Sequence, residues 1–191
     1  MHPLQDLLGD VPAFFRLQRE RLARKGIVID GMGVSHVAYR CASHDEYLAL
    51  RRALEAWAVG NAENVWNGRP ISKILLREPL ALAAGHELRL IELIPPPHQR
   101  RYKMGLEHVG LVVGEAVDDF GRRHRAALTG QQFQSPGCEP YYVLFTEDYS
   151  HVKFYRRGLQ AVCEQEGARF DRFQHVTDWP AVGAPDVPPL R

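Results

Sequence analysis

An α+β fold, made of two paired βαβββ modules that form a curved mixed sheet around a cleft, is the architecture this sequence predicts. Two observations carry it. The run "GVSHVAYRC" (33–41) is matched by "GLEHVGLVV" (105–113): each has Gly, two residues, His, Val and a small residue. Each run also opens the same succession of one strand, one helix and three further strands. A single unit of this size cannot bury both faces of its sheet. Two copies side by side can, with helices outside and a concave face lined by strand residues from both.

The elements follow from local pattern. "DVPAFFRLQRERLARKG" (10–26) has Asp10 as N-cap, Pro12 in the first turn and Gly26 as stop, which predicts a helix in an N-terminal extension over 1–30. "VSHVAYRC" alternates like a strand. "SHDEYLALRRALEAWAVG" (43–60) reads as a helix, with Ser43 and Glu46 as a capping box and Tyr47, Leu50, Leu54 and Trp57 as an apolar stripe. Strands are expected near "AENVW" (62–66), over "RPISKILLREP" (69–79) after the tight-turn pair Asn67-Gly68, and over "HELRLIELIP" (86–95), which Pro95, Pro96 and Pro97 close. The first module thus spans 31–100. The second, 101–157, repeats the order: a strand at "GLEHVGLVV", a helix at "VDDFGRRHRAALTG" (117–130), and strands at "QQFQS", "PYYVLFTED" and "SHVKFYRR". Residues 158–191 form a C-terminal tail with one short helix, "LQAVCEQEG", and a Pro-rich end.

Bulk properties narrow the function classes. The 191 residues are 45% hydrophobic and 25% charged with a formal net charge of +1, an ordinary globular mixture without a polyanion-binding excess. Nucleic acid is not an expected partner. Cys41, Cys138 and Cys163 are far apart and include no C-x-x-C pair, which suits free thiols in a reducing compartment. Neither a signal peptide nor an apolar run of membrane-spanning length is visible, so a cytoplasmic protein without a membrane partner is expected. The oligomeric state is left open.

Strand periodicity nominates a site. His36, Ala38 and Arg40 share a face, as do His108, Gly110 and Val112, and as do His151, Lys153 and Tyr155. Pseudo-twofold pairing makes His36 equivalent to His108, and Glu92 equivalent to Lys153. Two imidazoles and a carboxylate converging on a cleft have the composition of an open divalent-metal site. The competing reading keeps each His on a backbone carbonyl or water and pairs Glu92 with Arg40 or Arg89. Glu107 should face away from His108, in a salt bridge outside the cleft. Arg69 follows a tight turn and is either solvated or a substrate contact; Tyr102 and Tyr155 are either core residues or hydrogen-bond donors in the cleft.

The pieces "HVAYRC" (36–41), "NGRPI" (67–71), "REP" (77–79), "IELIP" (91–95), Tyr102 and "GLEHVGLVV", with a looser "VKFY" (152–155), resemble the vicinal oxygen chelate superfamily, and within it the YecM-like family. That resemblance implies the paired-module fold and a metal cleft. Its first His falls on His36, its first-module Glu on Glu92 and its second His on His108. The fourth ligand, commonly Glu, falls on Lys153, which cannot ligate when protonated. The expectation is a divalent ion (manganese, iron, nickel, cobalt or zinc) on three protein ligands, with Lys153 as a catalytic acid/base. Arg40, Arg69, Tyr102 and Tyr155 are the candidate contacts to a small anionic substrate. Isomerase, lyase and dioxygenase chemistry are not separated. The alternative is a non-catalytic module that binds or sequesters a small anion in the same cleft.

Overall fold

The computed structural model describes residues 4–66, 68–96, 102–133 and 137–176. Asn67, Pro97 and the Pro-rich end over 177–191 lie outside them. Two helices come first, α1 (Leu4–Leu8) and α2 (Val11–Arg24). The Asp10 carboxylate accepts from Ala13 N at 2.8 Å and caps α2. Val11, Phe14, Phe15, Gln18 and Leu22 are its buried positions. Helix α1 was not expected from the sequence.

The first module is β1 (Gly33–Arg40), α3 (His44–Glu55), β2 (Ala58–Trp66), β3 (Arg69–Ala81) and β4 (Glu87–Ile94). The second is β5 (Gly105–Val112), α4 (Val117–Arg123), β6 (Gly130–Gln131), β7 (Tyr141–Leu144) and β8 (His151–Tyr155). A tail helix α5 (Leu159–Gln165) and a short strand β9 (Phe173–Gln174) follow. The strands form one sheet in the order β6-β7-β8-β5-β1-β4-β3-β2-β9. Within each module the first and last strands are parallel neighbours, β1 with β4 and β5 with β8. The modules meet where β1 and β5 pair antiparallel. Val37, Ile91, Val109, Val152 and Phe154 pack with Phe14, Phe15, Leu54 and Phe120 in one continuous core between sheet and helices.

Two helices end earlier than their sequence pattern suggests. Helix α3 stops at Glu55, and Ala58 already belongs to β2, which leaves Trp57 at 40% exposure instead of on the apolar stripe. Gly60 is not a helix stop. The tail crosses β2 there, and any side chain at Gly60 would collide with the Phe170 backbone. Helix α4 ends at Arg123, before the expected Gly130. At α3 the sheet claims residues whose periodicity fits helix equally well, whereas after α4 the chain turns over 124–127 and enters β6 only at Gly130. The turn before β3 keeps Gly68 at φ +72°.

The tail is built into the sheet. Strand β9 pairs parallel to β2 through Asn61 and Ala62. The Glu63 carboxylate accepts hydrogen bonds from Tyr47 Oη, from Arg51 Nη1 at 2.8 Å and from Val176 N at 2.7 Å, which ties α3, β2 and the tail together. Burial pushes the Glu63 carboxyl up, but the hydrogen bonds from Tyr47, Val176 and Arg51 outweigh it and hold its pKa below the usual value. A lowered folded pKa stabilises the fold above the unfolded pKa, and that contribution is lost as pH falls through the folded value. Glu63→Gln should therefore cost about 2 kcal/mol near neutral pH, roughly 4–8 °C in Tm. The gap to wild type should close on acidification below about pH 4; thermal melts over a pH series would contradict this if the gap were constant.

Candidate functional site

The two histidines are placed by the β1–β5 ladder. Val37 lies opposite Val109, His36 opposite Gly110 and Ala38 opposite His108, so the register has local twofold symmetry about the valine pair. The ladder slips on either side. Pairing passes from Val34 to His36 and from His108 to Leu106, which leaves Ser35 and Glu107 as the extra residues of two β-bulges at equivalent positions. A bulge breaks strict alternation, so Ser35 and Glu107 fall beside the histidines they precede. Ser35 Oγ lies 2.9 Å from His36 Nδ1, and Glu107 Oε1 lies 3.3 Å from His108 Nδ1. This corrects the expectation that Glu107 faces away from the cleft.

The opposite ring nitrogens converge. His36 Nε2 and His108 Nε2 are 3.2 Å apart, and Glu92 Oε2 stands 3.7 Å from the first and 3.3 Å from the second. Donors about 2.1 Å from a shared ion, at angles of about 90–110°, stand roughly 3.0–3.4 Å from one another. The His36–Glu92–His108 group matches that spacing within a few tenths of an ångström. Both histidines are buried, while the Glu92 side chain keeps 15% exposure, so the group opens towards solvent on its carboxylate side. Burial, against the pull of Glu92, lowers the His36 pKa to about 3 and keeps the ring neutral. Burial raises the Glu92 carboxyl, but the His108 hydrogen bond and the surrounding positive charge leave it ionised, well below the usual range. Residues present therefore fit a divalent ion in both donor type and spacing.

The small residue that ends each His-Val-small motif now has a cause. Gly110 lies under the His36 ring, and a Cβ there would come within 2.6 Å of His36 Nδ1. Ala38 takes the matching place opposite His108.

Glu92 and His108 line a cleft of about 1020 Å³, and His36, fully buried, lies outside its lining. Lys153, opposite Gly110 as Glu92 is opposite Ala38, lines it. Burial lowers the Lys153 pKa, and Glu92 and Glu107 oppose the shift. Arg40 and Tyr102 also line the cleft. The Arg40 guanidinium pairs with Glu107 through Nε, and through Nη2 at 3.0 Å, and stacks 4.8 Å above the Tyr102 ring. Arg69 lines it too, buried at 4% exposure, with burial and the neighbouring Arg40 lowering its pKa to about 10. Of the two readings of Tyr155, core residue or cleft donor, its burial supports the first. It pairs with Val112, one step past Lys153 on the same face, and its ring meets the edge of His36 at 5.5 Å. It backs that histidine and is absent from the cleft lining.

Several cleft residues escaped the sequence reading. His151 stacks on His108 at a 4.5 Å centroid distance. Lys73, opposite Glu92 on β3, is buried and bonded to Asn64 Oδ1 and, at 3.2 Å, to Ile71 O. Helix α5 closes one end with Leu159, Val162, Cys163 and Glu166. Its first turn is pinned by Leu159 N donating to Ser35 Oγ at 2.8 Å. Cys138 and Cys163 line the cleft as thiols, their pKa values raised by burial to about 11. Glu107 and Ser35 were legible in principle, since each directly precedes a motif histidine. Helix α5 was expected from "LQAVCEQEG", but its place against the cleft had no sequence signal.

The YecM protein family profile matches residues 3–143. Protein YecM of Escherichia coli (strain K12) is 31% identical over 135 residues, 70% of this chain and 71% of that one. The solved structure of a structural-genomics protein, EC4020, superposes with a TM-score of 0.69 over 87% of this chain and 94% of its own, at 24% identity, a likeness in fold. The fosfomycin resistance protein FosX of Listeria monocytogenes, solved with manganese(II) and sulfate, aligns over 70% of this chain and 97% of its own at 13% identity; its TM-score of 0.28 carries no inference.

Gly110→Ala tests the seat of His36. The added methyl should force the ring aside, cost about 1–3 kcal/mol in stability and weaken divalent-ion binding. Unchanged melting and unchanged manganese(II) affinity by calorimetry would show that the ring does not depend on this gap.

Proposed function

The chain belongs to the YecM family, and we propose that it is a metal-dependent enzyme of the vicinal oxygen chelate type, acting on a small anionic substrate bound through two adjacent oxygens. One observation carries this reading. Three donors converge at ligand spacing while the far nitrogen of each imidazole is already engaged. Glu107 as a carboxylate can only accept, so it holds a proton on His108 Nδ1, and Nε2, which faces Glu92 and His36, is the nitrogen that would give up its proton to ligate an ion. A carboxylate behind a ligating imidazole fixes its tautomer and orientation. His36, Glu92 and His108 are the residues that would hold the ion. When bound, it supplies Lewis-acid polarisation of substrate oxygens.

The remaining roles belong to the chain's own side chains. Lys153 takes the place of a fourth donor and brings a proton instead. Its lowered pKa suits a group that donates to, or accepts from, a substrate oxygen beside Glu92. Arg40, fixed by Glu107 and Tyr102, orients an anion without moving. Helix α5 and Tyr149 form part of the cleft wall. A cytoplasmic setting fits the three free cysteines. Among the described residues no helix is long and apolar enough to cross a membrane.

Elemental analysis of protein purified without chelator should find about one divalent ion per chain. His36→Ala and Glu92→Ala should each weaken manganese(II) binding by about 100-fold or more, and Glu107→Gln by roughly 10–100-fold. Unchanged affinity in either ligand variant would remove the metal assignment. Lys153→Glu should shift two affinities in opposite directions: tighter for manganese(II), which gains a donor, and weaker for oxalate, which loses a cation. Calorimetry showing neither change would take Lys153 out of the site.

A further inference from the structure

Arg69 is a buried cation that forms no ion pair among the described residues. Its Nε and Nη1 are both buried without a hydrogen-bond partner among the described residues. The other three cations of the cleft differ in setting. Arg40 pairs with Glu107, Lys73 bonds to Asn64 and Ile71, and Lys153, on β8 with β5 and β1 between it and the β4 strand of Glu92, has Glu92 as the first of the charges that favour its ionised form. Glu92 and Glu107 are near enough to favour the charged form of Arg69, yet neither forms an ion pair with it. A buried guanidinium left unpaired costs several kcal/mol and persists where a ligand completes it. The cleft lining also holds four Lys and Arg against three carboxylates, Glu92, Glu107 and Glu166, before any ion is added.

We propose that Arg69 is the docking point for a second oxyanion, so that the substrate is two-ended. One end carries the vicinal oxygens that meet His36, Glu92 and His108. The other carries a carboxylate or phosphoryl group that completes the Arg69 hydrogen bonds. This deepens the enzyme reading above and rests on it for the first end only. Ile71, two residues from Arg69 on β3, and Ile94, two residues from Glu92 on β4, line the cleft and are apolar, which suits a short carbon linker. Arg69 thereby selects two-ended acids over simple hydroxy acids, since a missing partner leaves its donors unpaired.

Arg69→Met separates a docking residue from a structural one. If Arg69 held the fold together, the variant would melt lower. As a docking residue with no protein partner it should melt at the wild-type temperature or above, because an unpaired buried charge is removed. Sulfate should raise the Tm of the metal-free wild type, and that rise should vanish in Arg69→Met. With manganese(II) present, calorimetry would compare glycolate, which has one end, with 2-hydroxyglutarate and 3-phosphoglycerate, which have a carboxylate or phosphoryl second end. Wild type should favour one of the two-ended acids over glycolate by about tenfold or more, and which one it favours identifies the second group. Arg69→Met should lose that preference while keeping glycolate and manganese(II) affinity. A wild type indifferent to sulfate and to the second end, a preference that survives in the variant, or a large fall in variant Tm would each overturn the proposal. Failure to bind manganese(II) would sink the metal reading alone, since the sulfate comparison needs no metal.

Discussion

The antiparallel pairing of β1 with β5 is the constraint on which the remainder of the molecule hangs. It joins the two halves of the sheet and fixes Val37 against Val109 in the core. The same register sets His36 over Gly110 and His108 against Ala38 on the opposite face. A slip of one residue would turn every histidine into the helix-packed core and every core valine into the cleft. Core packing and donor convergence therefore depend on one alignment.

The paired bulges refine that alignment. Each adds one residue to its strand and brings a polar group, Ser35 or Glu107, to the Nδ1 side of the next histidine. The two partners are chemically unequal, and the inequality spreads. Glu107 needs a cation and holds Arg40, which in turn sits over Tyr102. Ser35 instead accepts from the first residue of α5 and so draws the tail helix over one end of the cleft. A local symmetry in the backbone thus produces an asymmetric site with a charged side and a covered side.

Electrostatics give the cleft its preference. Burial weakens solvation of every ionised group, so each charge needs a partner nearby. Glu92, Glu107 and Glu63 have theirs and stay ionised. Lys153 stands where the paired-module symmetry would place a second carboxylate, and this exchange adds positive charge to the cleft at the expense of a donor. In the proposed reading, three protein donors and surplus cations would favour an anionic ligand over a fourth protein ligand.

The sequence by itself determined the repeated module, the equivalence of His36 with His108 and of Glu92 with Lys153, and the capped starts of α2 and α3. Those features are written in local spacing: a five-residue motif occurring twice, strand alternation, and side chains that bond their own backbone neighbours. The tertiary structure decided the rest. The turn of Glu107 towards the cleft depends on how β5 pairs with β1, and alternation within one strand cannot reveal a bulge. The early end of α3 at Glu55 depends on β2 claiming Ala58 and on the tail crossing Gly60, over 100 residues away in sequence. Tyr155 leaves the cleft because the ring of His36 stands beside it. In sequence Arg69 is either solvated or a substrate contact; only folding shows its Nε and Nη1 buried without hydrogen-bond partners among the described residues, because burial is a property of what surrounds a side chain and not of its neighbours along the chain.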